Sequence, residues 1–358
     1  MSTSQIILQL SPNDHPPFAD ICAVYKAAGE SLGCRVVTIF FSSSIAGEGV
    51  SWAEYLNSDD LSRLRPLVRS LEDRVAELDI SDPMLAICHR YRTYRALRAS
   101  AICPGRMVAL AHEFGFFKRV QRRVEQKLFA REFLFAGVSP AVQANLGQTV
   151  SRPLCLANGI DQAALKQMQL SRDAALVQLG CEPGPFTVGV MGRLIPWKRP
   201  QLAVRAIADL AQRIPDVRLL IFGEGELRGE LEEMARGLPV EIVGFVPDAK
   251  RLMRALDVLL MVSEDREAFG MVALEAMASG VPVLAGQARG PESVLGGVGF
   301  YYDKPQPDVI ADALQEIHGL YQSGGIDARI QQGIERTTRE FSVAAVARRL
   351  DDLFFQMG

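Results

Sequence analysis

The stretch MVSEDREAFGMVALEAMASGVPVLA, residues 261–285, decides how the chain is read. With the apolar residues just before it, it predicts a buried strand over 258–262, a charged loop, a helix starting near Phe269 and Gly270, and a strand over 281–285. Glu267 stands in the loop and Glu275 inside the helix, with seven residues between them. Gly270 falls at the helix start, where free backbone N–H groups attract an anion and the missing Cβ lets phosphate come close. Ionised carboxylates on either side are two-oxygen acceptors suited to hydroxyls. Phosphate in the middle and hydroxyls at both ends describe a sugar nucleotide. Taken alone, the same residues also suit an acidic surface loop before an ordinary helix.

Upstream, a strand over 186–191 runs into Gly192-Arg193-Leu194-Ile195-Pro196-Trp197-Lys198-Arg199-Pro200 and then a helix to about 213. A cation pair at the carboxyl end of a strand is placed to neutralise a leaving phosphate. A further strand over 217–222 ends in Gly223-Glu224-Gly225, an incomplete dinucleotide fingerprint that lacks its third Gly and the acidic ribose partner. An extended segment, 243–247, is expected to meet a base through backbone groups around Phe245, and a helix is expected over 249–256.

The chain opens with a strand over 6–10, a loop carrying Pro16 and Pro17, a helix over 19–32 closed by Gly33 and a strand over 35–41. That βαβ order predicts a parallel sheet. Residues 61–78 repeat apolar positions in steps of three and four (Leu61, Leu64, Val68, Leu71, Val75, Leu78), an amphipathic helix for packing on the sheet. Strands over 84–88 and 107–111 flank an arginine-rich helix. The second ends in His112-Glu113, at the carboxyl edge where open α/β sheets bind ligands. Further strands are expected over 133–138 and 153–156, and helices over 162–180, 307–322, 326–338 and 342–356. Between Arg90 and Arg131 lie eleven basic and two acidic residues, a local excess of nine in a chain of net charge −3. Phe116, Val120, Val124 and Leu128 form one stripe there, and Arg119, Arg123, Lys127 and Arg131 the stripe beside it. Such a helix suits an anionic membrane surface or, equally, packing of its apolar stripe with its charges solvated. No nucleic-acid module accompanies it.

At 358 residues, 48% hydrophobic and 23% charged, the chain suits two globular domains. No apolar run approaches the roughly 18 residues that span a bilayer, and the start lacks a signal-peptide pattern. The six cysteines show no metal spacing and read as reduced thiols, so the expected compartment is the cytoplasm. No D-x-D occurs.

Glu267-Ala268-Phe269-Gly270 followed by Glu275-Ala276-Met277-Ala278-Ser279-Gly280 resembles the E-x7-E signature of the retaining, group 1 glycosyltransferases. Gly192-Arg193-Leu194 with Lys198-Arg199-Pro200, Gly223-Glu224-Gly225, and the Asn158-Gly159-Ile160-Asp161 turn resemble further elements of that family. The loop before the first helix departs from it, having prolines where the family has glycines. The resemblance implies an α/β GT-B fold, two Rossmann-like doubly wound domains facing a cleft. The acceptor-side domain is expected at 1–165 plus 341–358 and the nucleotide-sugar domain at 166–340. It implies transfer of a sugar from a nucleoside diphosphate sugar to an acceptor hydroxyl with retention. His112, Arg193, Lys198 and Glu267 would be catalytic, and Gly192, Gly223, Phe245, Phe269, Gly270, Met271 and Glu275 would hold the donor. Neither metal nor cofactor is expected. The expected partners are the donor, a glycan or glycolipid acceptor such as lipopolysaccharide core or O-antigen, and an anionic inner-membrane surface met through Arg119, Arg122, Arg123 and Lys127, with no nucleic acid. An NAD-dependent oxidoreductase and a non-catalytic sugar-nucleotide-binding protein are the competing readings.

Overall fold

The computed structural model describes residues 5–43, 50–56, 62–129 and 133–355. The chain divides into two compact units, 1–160 with 341–358, and 161–340. Leu61 and Arg131, both counted in the helix patterns above, lie outside the described residues.

The first unit is built on a parallel seven-stranded sheet of order β3-β2-β1-β4-β5-β6-β7. Its strands are β1 (Ile6–Ser11), β2 (Arg35–Phe40), β3 (Glu54–Tyr55), β4 (Leu85–His89), β5 (Arg106–Ala111), β6 (Leu134–Gly137) and β7 (Leu154–Cys155). Helices α1 (Phe18–Ser31), α2 (Leu64–Glu77), α3 (Arg90–Ala99), α4 (Val120–Phe129) and α5 (Pro140–Gly147) connect them. The central strands are continuous apolar runs because both faces are covered; Leu8, Leu10, Leu85, Ile87, Val108 and Leu110 are all buried. Pro66 sits in the first turn of α2, where its missing N–H leaves no intrahelical bond unmade, and Leu67, Leu71 and Val75 are buried.

The second unit carries a parallel six-stranded sheet of order β10-β9-β8-β11-β12-β13. Helices α6 (Gln162–Met168) and α7 (Arg172–Gln178) precede β8 (Phe186–Met191), α8 (Pro200–Leu210), β9 (Val217–Phe222), α9 (Arg228–Met234) and β10 (Val240–Gly244). Then come β11 (Val258–Met261), α10 (Met271–Ala278), β12 (Val283–Gly286), α11 (Arg289–Leu295), β13 (Phe300–Tyr302), α12 (Pro307–Ser323) and α13 (Ile326–Phe341). Helix α14 (Val343–Phe355) belongs with the first unit, where Arg106 holds its last turn by donating to the carbonyls of Leu353 and Phe354 at 2.8 and 2.9 Å. One apolar core, including Val188, Ile207, Leu219, Leu260, Leu284 and Leu314, fills the second unit.

Three local expectations are corrected. The helical stretch 162–180 is two helices, because Gln169 turns extended and the Ser171 hydroxyl caps α7 by accepting from the Ala174 N–H. Residues Ala249–Ala255 wind as a 3₁₀ helix rather than an α-helix. The apolar stripe on α4 does not bury as a unit: Phe116 and Phe117 are buried in the turn before the helix, whereas Val120 and Val124 are 74% and 51% exposed. Among the described residues no helix is long and apolar enough to cross a membrane.

Candidate active site

The second sheet winds outward from β8 through β9 to β10, then returns to the other side of β8 and continues through β11, β12 and β13. Loops diverge where such a sheet changes direction, and the carboxyl ends of the two strands there border a crevice. β8 and β11 are hydrogen-bonded neighbours at that point. Gly192, Arg193 and Lys198 follow β8, while Glu267, Phe269 and Gly270 follow β11. Met271 and Glu275 lie in α10, Gly223 follows β9 and Phe245 follows β10.

The side chains are knitted together there. Lys198 donates from Nζ to Glu267 Oε2, both less than one-fifth exposed, and the same ammonium lies 4.8 Å from the Trp197 ring centroid. The two loops are stitched by the backbone, Glu264 N–H donating to the Trp197 carbonyl at 2.8 Å. Arg199 donates to Glu264 at 3.2 Å, and Arg289 meets Asp265 through both its side chain (2.8 Å) and its N–H (3.1 Å). These four residues, missed from sequence, hold the loop after β11 in place. Only their charge alternation across three segments, after β8, β11 and β12, hinted at it.

Glycine makes the close approach possible. A Cβ on Gly223 would stand 1.9 Å from the Gly192 carbonyl oxygen, and one on Gly290 would stand 2.0 Å from that of Glu267. Gly270 caps α10 at φ +95°, a conformation that a side chain would strain. As the N-cap, Gly270 has no side chain to cap the first turn of α10, and backbone N–H groups at such a helix start attract an anion. Arg193 is exposed and forms no ion pair among the described residues. Phe245 is 68% exposed; its N–H points to the Glu224 carboxylate at 3.4 Å. Phe269 contributes a buried ring. Among the described residues no three His, Cys, Asp or Glu side chains gather as a metal site.

His112 belongs to the first unit, directly after β5. Its Nε2 lies 2.9 Å from Nδ1 of His89, whose Nε2 lies 3.0 Å from Gln9 Oε1. Burial holds His89 neutral, down to about 3. Burial, then His89 and Arg90, push His112 well below its ordinary range. The sequence reading named His112 but missed Gln9 and His89. The signal was there: Gln9 is the one polar residue in the run IILQL.

Residues 185–319 match the family model described as glycosyl transferases group 1. Among curated proteins, the D-inositol 3-phosphate glycosyltransferase of Corynebacterium kroppenstedtii is 34% identical over 194 residues, covering 49% of this chain and 42% of that protein. The chain spans about two fifths of the length of such relatives. Among solved structures, a glycosyltransferase from Rickettsia africae superposes with a TM-score of 0.80 at 14% identity, covering 99% of this chain and 98% of the other. Anabaena Alr3699/HepE in complex with UDP-glucose gives 0.76 at 23% identity, over 98% and 100%. The chain therefore has the GT-B fold, and its residues 185–319 are similar to the group 1 glycosyltransferases.

Proposed function

We propose that this protein transfers a sugar from a nucleoside diphosphate sugar to a hydroxyl of a glycan or glycolipid acceptor, with the anomeric configuration retained and no metal ion. The observation that carries this reading is the placement of Arg193, Lys198 and Glu267 at the β8/β11 direction change, beside the glycine-capped first turn of α10. Bond breaking at the sugar leaves negative charge on the diphosphate. Two cations and a helix N-terminus placed in advance stabilise that charge without reorganising. Glu267 accepts from hydroxyls of the donor sugar and Glu275 from those of the ribose, with Gly192, Gly223 and Gly270 letting the backbone approach. Phe245, with its ring exposed, is assigned to the base. His112 is assigned to a sugar hydroxyl. A departing phosphate oxygen takes the acceptor's proton on the same face, so no protein nucleophile is required.

The acceptor we propose is a bacterial cell-surface glycan, such as lipopolysaccharide core or O-antigen, presented at an anionic membrane on the cytoplasmic side. The basic face of α4 beside exposed Val120 and Val124 supports this. A thermal-shift screen across UDP, GDP, ADP and their sugars tests the donor claim, because a ligand at 100 times its Kd stabilises the fold by about 2.7 kcal/mol. One nucleotide class is expected to raise the midpoint, and the matching labelled sugar is expected to appear on an acceptor. Binding without turnover of any donor would make the protein a sugar-nucleotide binder instead, and no shift with any nucleotide would end the reading.

A further inference from the structure

Strand register places a polar line across the first sheet. Gln9 pairs with Thr38 on β2 and with Ile87 on β4; His89 lies two residues beyond Ile87 and pairs with Leu110 on β5. His112 lies two residues beyond Leu110. Side chains two apart on a strand share a face, so Thr38, Gln9, His89 and His112 all point to one side. That side is covered by α1. Tyr25 meets His89 edge-on at 5.5 Å and Phe18 meets His112 edge-on at 5.2 Å.

The hydrogen bonds along this line have a direction. Gln9 Nε2 donates to the Cys22 carbonyl at 3.1 Å and to Thr38 Oγ1 at 2.8 Å. A carbonyl only accepts, so the Gln9 atom facing it is the nitrogen, and the Gln9 atom facing His89 is the oxygen. His89 Nε2 must therefore carry the proton. Its Nδ1 is then a lone pair, and the His112 Nε2 that faces it must be the donor. The direction set at Cys22 thus passes through two rings.

We propose that Gln9 and His89 are positioning residues that hold His112 as its Nε2–H tautomer, leaving Nδ1 as an acceptor for a hydroxyl of the bound sugar. Nδ1 makes no hydrogen bond to any described residue. The charged groups around the ring are Arg90, which lies 5.1 Å from the Phe18 ring centroid, and Glu113, which pairs with Arg90 at 3.3 Å. An imidazole fixed in the wrong tautomer loses its function even with its position intact. The consequence for catalysis rests on the sugar-transfer reading; the tautomer itself does not.

Nitrogen-15 NMR of the histidine side chains in the full chain tests this at neutral pH, with signals assigned by replacing each of the four histidines in turn. His89 and His112 are both expected as Nε2–H with unprotonated Nδ1. Gln9→Met touches neither ring nitrogen of His112, yet it is expected to remove the single Nε2–H form of His112 and lower kcat at least about tenfold, with nucleotide affinity unchanged. His89→Asn offers Oδ1 in place of Nδ1 and is expected to keep the His112 tautomer. A wild-type His112 protonated on Nδ1 overturns the proposal whatever the variants do, and so does an unchanged tautomer in folded Gln9→Met. If the spectra are as expected but no donor is turned over, the sugar-transfer reading falls and the tautomer assignment stands.

Discussion

Lys198 is held by two neighbours, the Glu267 carboxylate and the Trp197 ring. Under the proposed function, Glu267 neutralises the charge that the diphosphate would need, so part of the diphosphate's attraction would go into displacing or sharing that carboxylate. Glu267→Gln removes the competitor and leaves an amide that still fits the space. The variant is expected to bind nucleoside diphosphate more tightly, by roughly fivefold for a partly exposed pair of about 1 kcal/mol. It is also expected to lose transfer by at least about 100-fold, because the carboxylate proposed to accept from the donor sugar is gone. Calorimetric titration with the nucleotide identified by thermal shift, alongside a transfer assay, reads both effects. Weaker diphosphate binding in the variant would mean that Glu267 does not compete for Lys198. The spacing of Glu267 and Glu275 was visible in the chain, but the pairing with Lys198 was not. Residues 69 apart meet only because β8 and β11 became neighbours.

At the scale of elements, α4 separates charge that faces outward from charge that holds the fold. Glu125 accepts from Tyr91 and lies near Arg95 and Arg98, at 3.8 and 3.7 Å. Arg122 stacks on Tyr91 at 4.0 Å and donates to the Phe116 carbonyl, and Arg123 donates to the Phe117 carbonyl. Much of the basic excess counted along the chain is therefore spent inside the unit. Arg119 and Lys127 stay exposed beside Val120 and Val124. On vesicles containing anionic lipid, Arg119→Gln and Lys127→Gln are each expected to weaken binding by about 1 kcal/mol. Val120→Ser/Val124→Ser is expected to weaken it further. Arg122→Gln should instead lower the unfolding midpoint. Co-sedimentation at low and high salt checks this, and absence of binding at low salt removes the membrane proposal. Periodicity alone could show that the helix was two-faced but not which face the fold would cover. Phe116 and Phe117 left the helix to fill the aromatic cluster with Tyr94 and Phe135. The same limit explains the 3₁₀ turn at 249–255, whose composition reads as an ordinary helix. The alternation of strands and helices was legible throughout, because buried parallel strands are nearly pure apolar runs between breakers.

Across the whole molecule, the two units carry different chemical sensitivities, and the two tryptophans divide between them: Trp52 in the first and Trp197 in the second. In the first, His89 stays neutral down to about 3 while the unfolded chain titrates near 6.5. Between those values the unfolded state binds more protons, so stability rises with pH there and is lost as pH falls below 6.5. Above 6.5 the ring contributes nothing. His112 acts in the same direction. Each histidine supplies a slope of up to about 1.4 kcal/mol per pH unit. In the second unit the proposed diphosphate seat would make stability depend on nucleotide instead. Denaturant unfolding of Trp197→Phe, followed through Trp52, is expected to lose stability from pH 6.5 towards pH 4. The histidine share of that slope should vanish in His89→Asn/His112→Asn. Unfolding of Trp52→Phe, followed through Trp197, is expected to shift with nucleotide. An acid slope at Trp52 that survives loss of both histidines would show that carboxylates alone set it, and the histidine pair would then be charged in the fold.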